Sequence, residues 1–195
     1  YFDEKLSSIS SDGHGAFWLG TETGDLIHFK DNQRQLFELG EDRIYKVVQE
    51  VNASGDSVFW IGIRNSGLQE WKQEGKNKLT KIKTFNIPFK ADKYSAYDFH
   101  CTKGRFFLAT SQGIYTFDRK NKNDSLHLIY PSEKYLSRRN GTTFVVQHIC
   151  IYKDSLLIAA TQEGLFLMNL ANNQSRFVLK NNFIDYVYIN NKKLF

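Results

Sequence analysis

Five histidines (His14, His28, His100, His127, His148) and two cysteines (Cys101, Cys150) are the side chains of this sequence best suited to hold a metal ion. The pairs His100-Cys101 and His148-x-Cys150 invite that reading. Zinc needs about four ligands converging at ~2.0–2.3 Å. Both pairs lie in apolar runs of strand type, where adjacent side chains point to opposite faces, so His100 and Cys101 cannot easily share one ion. The sequence predicts no metal and no cofactor. It also holds no Gly-x-Ser-x-Gly elbow, phosphate-binding glycine loop, His-Glu-x-x-His or Cys-x-x-Cys, the short patterns whose geometry performs hydrolysis, phosphate binding or redox exchange. No pair of carboxylates is singled out by spacing, and nothing makes a case for catalysis. The ordinary state of such cysteines is a small buried hydrophobe. A bridge between them would need Cα atoms at ~5.5 Å, closer than equivalent strands of neighbouring repeats usually lie. Asn-x-Ser/Thr sequons at Asn52, Asn123, Asn140 and Asn173 are expected by chance in so Asn- and Ser-rich a chain, and matter only in a secreted eukaryotic protein.

The elements that would position any site are short strands. Phe17-Trp18-Leu19-Gly20-Thr21 runs into a turn ending at Gly24 and a second alternating run, Leu26 to Phe29. The same unit returns as Phe59-Trp60-Ile61-Gly62-Ile63 with Gly67, Phe106-Phe107-Leu108-Ala109-Thr110 with Gly113, and Leu157-Ile158-Ala159-Ala160-Thr161 with Gly164. A strand-rich period of roughly 40–50 residues is the signature of propeller blades. Within each unit, four alternating runs are separated by turn residues, which predicts a four-stranded antiparallel meander. The first unit reads Leu6–Ser11, Phe17–Gly20, Leu26–Phe29 and Gln35–Leu39; the others follow suit. The predicted fold is all-β: blades over about 1–40, 41–87, 88–131 and 132–180, then the start of a fifth over 181–195, with Phe183–Ile189 as its first strand.

Residue types follow from blade packing. The second strand of a blade is covered on both faces and reads as a continuous apolar run. Trp18, Trp60 and Phe107 are predicted to wedge between blades, with small residues (Gly20, Gly62, Ala109, Ala160) where sheets approach closely. The turn glycines are predicted to take positive φ, and Thr21, Thr110 and Thr161 to bond the turn backbone. Ser132–Arg139 is read as a polar loop between the third and fourth units, and Asn86–Tyr94 as the other long connection.

Composition agrees with one soluble-type domain: 41% hydrophobic, 24% charged, 15% aromatic, and no apolar run near the ~20 residues a membrane-spanning helix needs. The net charge of +5 is spread over all repeats. Its one dense patch is Lys134 with Arg138 and Arg139, and a nucleic-acid reader would show a basic stripe or a known motif; no nucleic-acid partner is expected. The chain opens at Tyr1 without a charged and apolar leader, so either a leader has been removed or this is an excised piece.

The recurring FWLGTETGDL, FWIGIRNSGL, FFLATSQGI and LIAATQEGL resemble the two-component-regulator propeller repeat. That resemblance implies a non-catalytic periplasmic sensor region of a Bacteroidetes-type hybrid histidine kinase, cut from a propeller of about seven blades. It implies an oligosaccharide ligand, tethering to the inner membrane in the full protein, and a homodimer of that protein. A propeller serving only as a protein-interaction scaffold is the alternative. In propellers, ligands meet the mouth formed by the blade-to-blade connections and the turns between second and third strands. Those segments carry Arg43, Tyr45, Arg64, Asn65, Tyr94, Tyr97, Arg138 and Arg139, the aromatic platforms and planar forks that suit sugars and their acidic derivatives.

Overall fold

A computed structural model describes residues 4–51, 54–87, 93–119, 125–131, 144–190 and 193–194. Four antiparallel four-stranded sheets account for nearly all regular structure, each in simple meander order. The first comprises β1 (Leu6–Ser11), β2 (Phe17–Thr21), β3 (Asp25–Lys30) and β4 (Gln33–Glu38); the second β5 (Ile44–Val51), β6 (Ser57–Ile63), β7 (Gly67–Glu74) and β8 (Lys78–Phe85). The third comprises β9 (Ala96–Thr102), β10 (Arg105–Thr110), β11 (Gly113–Asp118) and β12 (His127–Tyr130); the fourth β13 (Val146–Tyr152), β14 (Leu156–Thr161), β15 (Gly164–Asn169) and β16 (Ser175–Val178). These are the all-β, propeller-type meanders the repeat predicted. Among the described residues there is no helix, hence none long and apolar enough to cross a membrane.

The chain divides into two compact units, one holding the first two sheets with residues 93–96, the other the last two sheets from Tyr97 onward. In the first unit Trp18 is buried between sheets as predicted, with Ile44, Val47, Phe59 and Ile61 of the second sheet around it. Its ring meets Phe59 edge-on at 4.6 Å, and its Nε1 donates to Gln49 Oε1 at 2.7 Å. Gly20 lies against the second sheet: an added Cβ would stand 2.6 Å from Ile44 Cγ2. In the second unit Phe107, Ala109 and Ile114 pack against Val146, Ile149, Leu157 and Ala159, so Phe107 plays the part of Trp18. Trp60 packs on Phe85 and donates from Nε1 to Glu50.

The turn chemistry follows the sequence. Gly24, Gly67, Gly113 and Gly164 all have positive φ. Thr110 and Thr161 each accept a turn N–H and donate to the carbonyl of the following glycine at 2.8 Å, and Thr21 accepts the Asp25 N–H. All three threonines are buried, which requires satisfied hydroxyls.

The end of the chain departs from expectation. Residues 182–188 form no strand; only Ile189–Asn190 (β17) pairs with Lys193–Leu194 (β18). A strand needs a ladder partner, and here backbone donors go elsewhere: Asn181 N–H to the Glu163 carbonyl and Ile184 N–H to the Thr161 carbonyl. The segment nevertheless covers the fourth sheet, with Ile184, Val187 and Ile189 over Ile158, Ala160 and Leu165. The Ser132–Arg139 insert lies outside the described residues.

Candidate functional site

The segment before each first strand and the turn after each second strand lie at one end of the sheet. Their backbones are tied by a recurring bond: Glu22 N–H to the Lys5 carbonyl, Arg64 N–H to the Arg43 carbonyl, Gln162 N–H to the Val145 carbonyl. In each of these three sheets the first strand then shifts register, between Leu6 and Ser8, Ile44 and Lys46, Val146 and His148. Such irregularities re-aim a side chain. Tyr45 occupies that position in the second sheet.

On the first unit this brings Arg43, Tyr45, Arg64 and Asn65 together. The Arg43 guanidinium lies over the Tyr45 ring at 5.2 Å and 3.8 Å from Glu22 Oε1. Its Nε is buried with no hydrogen-bond partner among the described residues. Asn65, at φ 55, donates from its side chain to Asp42 Oδ1, and Ser66 donates to Asp42 Oδ2. The Asn65 N–H reaches Ser95 Oγ at 3.1 Å. The turn is thus pinned from both sides, with Arg64 exposed at its tip and free of ion pairs among the described residues. A fixed turn presenting an exposed guanidinium beside a cation–aromatic pair can grip a polar ligand by bidentate hydrogen bonds and ring contact.

The other predicted residues fare differently. Tyr94 is only 5% exposed. Its hydroxyl donates to the Phe85 carbonyl and accepts the Leu68 N–H at 3.1 Å, so it supports the turn from beneath and offers a ligand no open ring face. Tyr97 is half-buried on β9, in the other unit. Arg138 and Arg139 lie outside the described residues.

The second unit contains a polar node that sequence reading missed. Asp98, 4% exposed, accepts the Phe99 N–H at 2.8 Å and the Ile149 N–H at 2.9 Å. Its Oδ2 lies 3.3 Å from His148 Nε2, and the His148 ring packs against Tyr186 at 4.1 Å, tilted by 38°. The carboxylate therefore joins β9 to β13 through a backbone donor. The available signal was a lone acid inside the apolar run Tyr97-Asp98-Phe99, one repeat before His148. Among the described residues no group of three or more His, Cys, Asp or Glu converges as a metal site would require.

Cys101 and Cys150 are not joined in a disulfide, and both are half-buried rather than fully buried. Burial, then the charge of Asp98, pushes the Cys150 thiol up to about 11. Burial alone pushes Tyr115 up to about 12. Both groups are neutral in the folded chain at pH values where the unfolded chain ionises them. Their stabilisation is complete below the ordinary thiol value of 9.0 and is lost as pH rises through about 11 and 12. Urea-unfolding midpoints are expected to fall across that window; a flat profile would contradict this.

No family model and no curated protein matches the chain. Solved structures do. The AfRom2 CNH domain aligns with a TM-score of 0.61 at 7% identity, over 97% of this chain and 63% of that one. The extracellular domain of BT3049 from B. thetaiotaomicron, described as a hybrid two-component system, aligns with a TM-score of 0.49 at 15% identity, over 92% of this chain and 29% of that one. The chain thus spans less than two thirds of either structure's length, and the first likeness is one of fold alone.

Proposed function

We propose that this chain is a non-catalytic, ligand-binding part of an extracytoplasmic sensor in a hybrid two-component system, belonging to a propeller of about seven blades and recognising oligosaccharides. Two full copies of the Trp/Phe-[Leu/Ile]-[Gly/Ala]-Thr turn motif, Trp18–Thr21 and Phe107–Thr110, and two drifted ones, Trp60–Ile63 and Ile158–Thr161, support the family reading. The observation that carries the binding role is the exposed Arg64 guanidinium, on a pinned turn, next to the Arg43–Tyr45 stack. Sugars present vicinal hydroxyls to a planar fork and apolar ring faces to an aromatic ring. Binding there would signal by favouring one arrangement of the sensor over another.

Titration calorimetry of the chain against an oligosaccharide panel tests this reading. At least one member is expected to bind, and Arg64→Ala to weaken it about tenfold or more, since hydrogen bonds to a charged group contribute roughly 1.5–3 kcal/mol. Arg64 is exposed, so the variant should keep its melting temperature. Silence across the panel, or equal affinity in the variant, would remove the assignment.

A further inference from the structure

The third sheet breaks the repeat at one position. Two residues before the wedge residue of the second strand stand Ala16, Val58 and Leu156 in the first, second and fourth sheets, but Arg105 in the third. Ala16 and Val58 are buried, so this seat is an apolar one, and Arg105 is half-buried in it. The guanidinium is held rigidly: Nε donates to Thr116 Oγ1 at 2.9 Å, and the group lies over the Phe107 ring at 5.0 Å. The Thr116 hydroxyl is oriented by donating to the Phe106 carbonyl at 2.7 Å. Asp118 faces Arg105 directly across the β10–β11 ladder, yet Arg105 makes no ion pair with it or with any other described residue. Among the described residues both Nη groups are left without acceptors, at a site where an unpaired half-buried charge is costly.

Arg105 lines a crevice of about 360 Å³ inside the second unit, at the end of the sheets opposite to the Arg64-type turns. Lys103, Asp118, Asp154 and Thr102 share its walls. Thr102 donates to Asp154 Oδ1 at 2.8 Å, closing the crevice between the β9–β10 and β13–β14 turns. The volume is within the usual range of small-ligand pockets.

We propose that this crevice is a second ligand site, for a small hydroxylated carboxylate of the sugar-acid type. The ligand carboxylate pairs with the Arg105 fork, with Lys103 as the nearby second cation. Its hydroxyls donate to Asp118 and Asp154. A bidentate guanidinium–carboxylate pair suits the planar, pre-oriented fork. The two acidic side chains disfavour a doubly charged phosphate, which like-charge repulsion would penalise. The site is separate from the Arg64 turn and does not rest on the sensor reading.

D-glucuronate, D-glucose and inorganic phosphate serve as probes in titration calorimetry with the full chain. D-glucuronate is expected to bind at millimolar concentration or better, with D-glucose and phosphate at least tenfold weaker. Arg105→Leu restores the repeat's apolar pattern and should fold; Arg105→Lys keeps the charge without the fork. Each is expected to weaken D-glucuronate at least tenfold, while Arg64→Ala leaves it unchanged. No binding of D-glucuronate, equal binding of D-glucose, undiminished binding by either Arg105 variant that folds, or loss in Arg64→Ala would each overturn the proposal.

Discussion

Gly113→Ala is expected to destabilise the second unit by about 3 kcal/mol or more, read as a fall in the urea midpoint, because two costs coincide there. The first is conformational: φ at Gly113 is 122°, a region that L side chains rarely adopt. The second is steric. A Cβ at this position would run into the Tyr130 carbonyl oxygen and come within 2.9 Å of Pro131 Cδ. The colliding group is backbone, so no side-chain rotation relieves it. The displaced segment carries Tyr130, whose ring packs on Phe144, Phe166 and Phe177 and whose hydroxyl donates to Glu163. The disturbance should therefore spread from the β10–β11 turn into the core shared by the third and fourth sheets. Gly13→Ala is the matched control: its φ is 78°, but nothing lies within 4 Å of an added Cβ, and the expected cost is about 1 kcal/mol. Similar midpoints for the two variants would show that close approach contributes nothing at the recurring turn glycine.

Trp18→Ala is expected to cost about 3–5 kcal/mol, the usual range for deleting a large buried ring. Trp18 is 3% exposed and touches three rings besides its aliphatic neighbours: His28 at 4.4 Å, Phe59 at 4.6 Å and Phe37 at 5.8 Å. Its removal would also leave Gln49 Oε1 without the indole donor, and an orphaned acceptor adds to the cavity cost. The loss falls at the junction of the first and second sheets. Hydrogen exchange should accordingly speed up in β1–β8, while β9–β16, with a separate core, keep their protection. Trp18→Phe, which retains most of the ring, should recover more than half of the loss. A variant with wild-type exchange in β1–β8 would mean that the wedge residue does not hold the sheets together.

Strand order, turn chemistry and the seats of Trp18 and Phe107 were legible because each is a local matter that recurs along the chain. Alternation at period two, a threonine three residues before a glycine in three of the four copies, and small residues after a bulky one each have a short-range cause. Four copies make the pattern hard to mistake. The weak points were equally physical. Phe183–Ile189 alternates like a strand, but alternation reports only which face is apolar. Whether a ladder forms depends on a partner strand, and here the neighbouring turn takes the backbone donors. Tyr94 looked like a ligand platform because tyrosines on connections often are. Its burial follows from Gly67, whose missing side chain makes room for the ring, a relation between segments 27 residues apart in the chain.

Taken alone, the order of residues settled the class of fold, the number of complete meanders, the positions of the turns, and the company of Arg43, Tyr45, Arg64 and Asn65 at one end of a sheet. Each of these depends on contacts within one repeat, where chain distance and spatial distance agree. Only the tertiary structure decided what crosses from one repeat to the next: Asp98 bonding the Ile149 backbone beside His148, and Thr102 reaching Asp154. Such contacts depend on the packing angle and register between sheets, which many side chains set jointly and no local pattern encodes.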